Sequence, residues 1–470
     1  MNAGSPLPPA LGGIALFLLA GSGVLRFFPA LRERPFFRRM AWAWLLGVAA
    51  VGIALFGASH LLHAPLDGRS AWAVFLGLAL LRFVPQRTAA NFESPRSRAA
   101  LATRIVLLVA AALATLIVAG LLSNSVSEAV RDHDGPMTWD ATARWIRAEK
   151  SVNAAVLREP HWYVSHPQYP LLLPLMQVAT QEAFAASDDT RVIRPLYAVF
   201  LAAFLLVLYD VASRRAGRMA AALATLSAAL VPFLSSNPKY GGAGTTYSDV
   251  PLGCFWGAGF LLLLEPGLRP STGVAAGMLL GATVLTKSEG APFALIALGI
   301  GVAVRLHRAH RRALPKARAL VPLALAGLVT AASFLLLVSW NREIPNRFDE
   351  DYVTKLRTAP VVAMTLARLP EFPKAMWNSM TEEWAWAGFW WCVPIILLTG
   401  ARALSRRAAW PLLLAPAAAL GVFMIAYGIT GWPGTELVRV TFSRFLLQMS
   451  IPLFVLIAMS LDVSIREMRP

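Results

Sequence analysis

The polar stretch 123–170 gathers residues able to move a proton or meet an anion: Asp132, His133, Asp134, Asp140, Glu149, His161 and His166, interleaved with Trp139, Trp145, Trp162, Tyr163 and Tyr169. Asp140 leads. It opens a helical pattern, and a helix N-terminus favours the ionised form that a general base needs. The plainer reading is a capping or first-turn aspartate. Asp132 and Asp134 are rivals, but RDHDGP reads as a turn, where Asp often serves backbone geometry. His166 opens HPQYP, which reads as extended chain before prolines. It can donate to a phosphate or orient a carboxylate, or be an ordinary loop histidine. No spacing among His133, His161 and His166 marks a metal site.

Four more charges stand at the ends of apolar runs. Asp249 lies in GGAGTTYSDVPLG where a run begins. There a carboxylate is costly unless it is paired, capping or functional. Lys287 and Glu289 (TKSEG) divide two runs of about 16 residues each. Charge at such an interruption points to an anionic ligand, or simply to a Lys287–Glu289 pair. Arg444 (TFSRFLLQMSIP) precedes the last run, on the side with little positive charge, where a lipid phosphate is its natural partner. Glu382 and Glu383 precede Trp384, Trp386, Trp390 and Trp391, a pattern of an aromatic belt or a carbohydrate-stacking surface.

The elements that position these residues are apolar. Of the 470 residues 57% are hydrophobic and 15% charged, and the mean hydropathy is +0.57. Thirteen runs read as spans: 11–31, 40–60, 71–85, 104–122, 191–212, 219–235, 250–265, 271–286, 290–306, 319–340, 386–400, 410–430 and 445–462. The expected fold is an all-α polytopic membrane protein of about thirteen transmembrane helices.

The net charge of +17 does not imply nucleic acid, because Lys and Arg sit in short loops. Basic segments follow the first, third, fifth, ninth and eleventh runs and end the chain, which places them in the cytoplasm. The N-terminus is then outside and the C-terminus inside. Counting 171–186 as a span would invert this pattern. That run also carries Leu172, Leu175, Met176, Ala179 and Ala183 on one face and Gln177, Gln181 and Glu182 elsewhere. It therefore reads as a helix lying in the outer interface. The stretch 138–150 reads likewise, with Trp139, Thr142, Ala143 and Ile146 opposite Arg144, Arg147 and Lys150.

The expected organisation is three N-terminal spans (1–103), a catalytic core (104–462) with outer segments 123–190 and 341–385, and a cytoplasmic tail (463–470). The short inner loops leave no room for a nucleotide-binding domain. Cys254 and Cys392 read as buried free thiols.

Six segments in order, WDATARW (139–145), HPQYPLLLP (166–174), IRPLYAV (193–199), YSDVPLG (247–253), LTKSEG (285–290) and SRFLLQMSIPL (443–453), resemble the GT-C class of polyprenyl-phosphate-sugar glycosyltransferases. Within that class they are similar to those of the bacterial aminoarabinose transferases of lipid A and the protein O-mannosyltransferases. The usual acidic pair of the first motif reads Asp140-Ala141 here, so one carboxylate is missing. Three spans precede the core, and no soluble domain follows it.

The resemblance implies a multi-pass bacterial inner-membrane enzyme. It would move a sugar from a polyprenyl-phosphate donor to a hydroxyl of a lipid, glycan or protein outside the cell. Asp140, Asp134 and Asp249 would be the catalytic candidates, and His166, Tyr169, Lys287, Glu289 and Arg444 the substrate-binding ones. The resemblance fixes no cofactor, and a divalent cation stays open. The other readings are a lipid-linked-sugar flippase and an O-antigen-type glycan ligase.

Overall fold

The computed structural model describes residues 5–85, 101–130, 134–235, 241–311, 315–344, 352–358, 360–406 and 409–467. Among them every regular element is helical. Within a bilayer no water satisfies backbone groups, so an apolar run must satisfy its own.

All thirteen runs fall on helices. The first four are α1 (Leu7–Val24), α2 (Phe36–Leu62), α3 (Gly68–Leu80) and α4 (Leu101–Ser127). In the segment 123–190 lie α5 (Asp140–Glu149) and α6 (Leu172–Ala183). Then come α7 (Thr190–Arg215), α8 (Arg218–Leu230), α9 (Asp249–Leu263), α10 (Pro270–Thr286), α11 (Gly290–Arg311) and α12 (Lys316–Asn341). The last are α13 (Phe389–Thr399), α14 (Trp410–Ile429), α15 (Gly434–Gln448) and α16 (Ser450–Glu467).

Among the described residues seven helices, α1, α2, α4, α7, α11, α12 and α14, are long and apolar enough to cross a membrane. Counting α15 and α16, which meet at a 59° bend, as one broken span makes eight. The chain is an all-helical, multi-pass membrane protein. The apolar helices α8, α9, α10 and α13 have only 11 to 17 residues. At 1.5 Å per residue they reach about 17–26 Å, short of a hydrocarbon layer of about 30 Å.

Burial sorts the helices. Every residue of α9 is buried, so it is the central helix of the bundle. The window of α4 is only 11% buried, leaving an apolar surface suited to lipid. The first two helices cross at close range. A Cβ on Gly21 would stand 1.7 Å from the Ala43 carbonyl oxygen, and one on Gly47 would stand 2.1 Å from that of Phe17. Small residues at a crossing let helix backbones approach this closely.

Two clusters of charge mark opposite ends of α9. Asp249, its first residue, joins Lys287 and Arg444. Past its other end Glu265 pairs with Arg34 and Arg214, and Arg305 donates to the Leu263 carbonyl. The segments after the first, fifth, seventh and ninth runs thus meet at one end. Those after the fourth, sixth, eighth and twelfth meet at the other.

Two expectations are corrected. Both helices of the segment 123–190 form, and α5 buries Thr142, Ala143 and Ile146 as its pattern requires. However, α6 does not lie with one face against lipid. Leu172 through Gln181 are all buried, because α2, α3 and α5 pack around the helix. Its polar side chains turn into the protein. Cys254 is buried as expected, but Cys392 is exposed on α13.

Candidate functional site

Asp249 is the centre of the site. Its side chain is 0% exposed and accepts hydrogen bonds on both oxygens. Lys287 Nζ (3.1 Å) and Gln448 Nε2 (2.6 Å) reach Oδ1, and Arg444 Nε (2.8 Å) reaches Oδ2. The helix-capping alternative is set aside: Ser248 makes no capping bond with its side chain, and the Asp249 carboxylate faces these three donors. A buried charge is retained only when it is fully hydrogen-bonded and paired.

The ionic chain continues to both sides. Arg444 Nη1 donates to Asp134 Oδ2 at 2.8 Å, and Lys287 Nζ stands 3.0 Å from Glu289 Oε1. The order is therefore Asp134–Arg444–Asp249–Lys287–Glu289. The two end carboxylates are 37% and 29% exposed, while the middle three groups are buried. The Lys287–Glu289 pair expected from the sequence is present, and Lys287 also pairs with Asp249. The guanidinium of Arg444 lies over the Tyr247 ring at 4.7 Å, and the Tyr247 hydroxyl accepts from the Asp134 N–H at 3.1 Å.

Local structure explains these positions. Arg444 and Gln448 are four residues apart on α15, so both face α9 just before the bend. Lys287 sits in extended backbone between α10 and α11, and its side chain is buried. The loop leading to Asp249 passes through Gly241 at φ 117°. A Cβ there would stand 2.8 Å from Asp249 Oδ2.

Asp140 adjoins this chain through the same loop. It is buried, and it accepts from Gln177 Nε2 (2.8 Å) and from Thr246 Oγ1 (3.2 Å), next to Tyr247. It does not cap α5, which continues from a π-helical turn at 135–139. Gln177 also donates to the Tyr197 hydroxyl at 2.8 Å.

His166 is corrected from extended chain to the left-handed region, with φ 49°. A turn closes there: the Tyr169 N–H donates to the His166 carbonyl at 2.9 Å, and the rings stack at 4.7 Å. Tyr169 in turn meets Trp139, the neighbour of Asp140, at 5.5 Å. Asp132 and His133 lie outside the described residues. Among the described residues no three His, Cys, Asp or Glu side chains converge as a metal site requires, so the divalent cation left open finds no ligand set there.

Sequence reasoning named the charged members and missed the neutral ones. Gln177, Thr246, Tyr247 and Gln448 were unassigned, although a glutamine within an apolar helix signals a buried partner. Arg194 of IRPLYAV was read only as part of a motif. It is buried and donates to the carbonyls of Gly244 (2.7 Å) and Glu128 (2.8 Å) and to Asn124 Oδ1 (2.8 Å). It ties the end of α4 to the loop that carries Thr246 and Tyr247. Comparison with family models, with curated proteins and with solved structures finds no match for this chain.

Proposed function

We propose that the chain is a GT-C-type glycosyltransferase that moves a sugar from a polyprenyl phosphate to an acceptor hydroxyl on the outer face of the plasma membrane. The observation that carries this reading is the ionic chain: two buried cations anchored on one buried carboxylate, each with a second, more exposed carboxylate partner. A lipid phosphate would replace Asp134 on Arg444 and Glu289 on Lys287, while Asp249 keeps both cations in place. The charge-assisted hydrogen bonds would then hold the phosphate as it leaves.

Asp140 would take the proton of the acceptor hydroxyl. The acceptor oxygen bonds to the anomeric carbon while the bond from that carbon to the phosphate oxygen breaks, its electron pair passing to the phosphate. One displacement inverts the anomeric centre. Gln177 and Thr246 would keep the carboxylate aimed, and Trp139 and Tyr169 offer aromatic surface for a sugar. The donor phosphate belongs at the depth of a lipid headgroup. The short, wholly buried helix α9, with a charge cluster at each end, supports the reading that brief helices count among the thirteen crossings.

The test is transfer from a polyprenyl-phosphate sugar by the purified chain in detergent, with release of polyprenyl phosphate as the readout. The Asp140→Asn variant should fold and lose about 10²–10⁴-fold of the rate. Full activity in a folded variant would sink the role given to Asp140. Absence of transfer from every lipid-phosphate sugar offered to the wild type would sink the activity itself.

A further inference from the structure

The second charge cluster has no part in that chemistry. Arg34, Arg38, Arg214 and Arg215 come together from the turn before α2, the first turn of α2 and the last turn of α7. Asp210 is 0% exposed and pairs with Arg34 (3.7 Å), Arg38 (3.4 Å) and Arg214 (3.2 Å). Glu265 pairs with Arg34 (3.2 Å) and Arg214 (2.5 Å). Arg215 lies in the field of the same Glu265 and donates to the Leu261 carbonyl at 3.4 Å.

Four guanidinium groups thus share two carboxylates, a surplus of two positive charges, with Arg308 close enough to repel Arg215 further. A surplus of like charge in a half-buried position raises the free energy unless an anion joins it. Arg34 Nε is buried and makes no hydrogen bond among the described residues, its ion-pair partner Asp210 Oδ2 standing 3.7 Å away. The cluster is reachable, because the side chains of Arg38 and Arg214 are 23% and 30% exposed.

What stands beside it identifies the anion. Phe36 and Phe37, on the same first turn of α2, are 57% and 70% exposed. They open a membrane-crossing helix, so they stand where acyl chains begin. Cations at headgroup depth flanked by exposed aromatic rings fit a molecule with a phosphate at one end and hydrocarbon at the other.

We propose that Arg34, Arg38 and Arg214, with Phe36 and Phe37, form a binding site for the phosphate headgroup of an anionic phospholipid. It lies at the end of the bundle opposite the candidate catalytic residues. The single negative charge of the phosphodiester would offset half of the surplus and brace α2 against α7, and so raise the stability of the whole fold. Free phosphate shares the headgroup chemistry but has no use for the two phenylalanines.

Thermal unfolding of the purified full chain in a neutral detergent tests this. Phosphatidylglycerol should raise the midpoint in a saturable way, whereas phosphatidylcholine and inorganic phosphate at equal concentration should not. The R38Q/R214Q variant should bind phosphatidylglycerol on the order of tenfold more weakly. R311Q/R466Q, an equal loss of charge elsewhere, should keep the wild-type response. Equal loss in both variants, equal protection by phosphatidylcholine, or full protection by inorganic phosphate would each overturn the site. Because R38Q/R214Q also strips Asp210 of partners, native mass spectrometry of the wild type gives a second readout. A defined number of retained phosphatidylglycerol molecules under competition from phosphatidylcholine supports the site, and a random mixture refutes it.

Discussion

A fully buried Asp249 is tolerable only because three donors meet its two oxygens, and this makes each donor costly to remove. Lys287→Met would leave Oδ1 with Gln448 alone and would free Glu289. Breaking a buried pair costs roughly 3–5 kcal/mol, because an uncompensated charge stays behind. We expect equilibrium unfolding in mixed micelles to show that loss. The double variant Lys287→Met/Asp249→Asn should lose less than the sum of its singles, the sign of a shared interaction. An additive result would mean that Lys287 and Asp249 act apart. The sequence marked Asp249, Lys287 and Arg444 as suspect because each places charge at the rim of an apolar run. It could not pair them. Arg444 meets groups 195 and 310 positions away, a relation that only the folded bundle defines. Asp140 was legible as an acid opening a helix, but its Gln177 partner was hidden by the reading of α6 as a surface helix.

The helices around the site are held by their ends, so loops set its geometry. Arg194 fixes the loop before α9 from one side, and Gly241 lets that loop pass Asp249 at close range. Gly241→Ala would place a methyl group 2.8 Å from Asp249 Oδ2 at a φ of 117°, a region L-residues avoid. We expect a destabilisation of more than about 1 kcal/mol and a weakened grip of Asp249 on Arg444. A lower unfolding midpoint checks the first effect, and weaker binding of the lipid-phosphate donor checks the second. Unchanged midpoint and donor binding would show that the loop yields freely. Apolar periodicity placed all thirteen runs on helices, because hydrophobicity alone demands that in a bilayer. It misplaced α6 because a polar stripe looks the same whether it faces water or a buried aspartate. The two faces of such a helix differ only in what packs on them, and that depends on α2, α3 and α5.

At the scale of the whole molecule the two charge clusters divide the labour. One end balances cations with carboxylates around a buried aspartate, and the other carries surplus arginine. In the orientation we propose, the surplus lies on the cytoplasmic side, where positive charge stays during insertion. The candidate site would then face outward, the side on which the proposed lipid-linked sugar donor would be presented. This orientation is testable without any activity assay. Arg158 pairs with Glu343 beyond the C-terminal end of α12, and Arg311 ends α11 on the basic side. Single cysteines at these two positions, in a chain carrying Cys392→Ser, report the two faces, because Cys254 is buried. A membrane-impermeant thiol reagent added to intact cells should label R158C at once and R311C only after permeabilisation. The reverse pattern would turn Asp140 and the ionic chain toward the cytoplasm. A donor delivered to the outer leaflet could not then reach them, and the transfer reaction proposed here would fail on topology alone, whatever the chemistry of its residues.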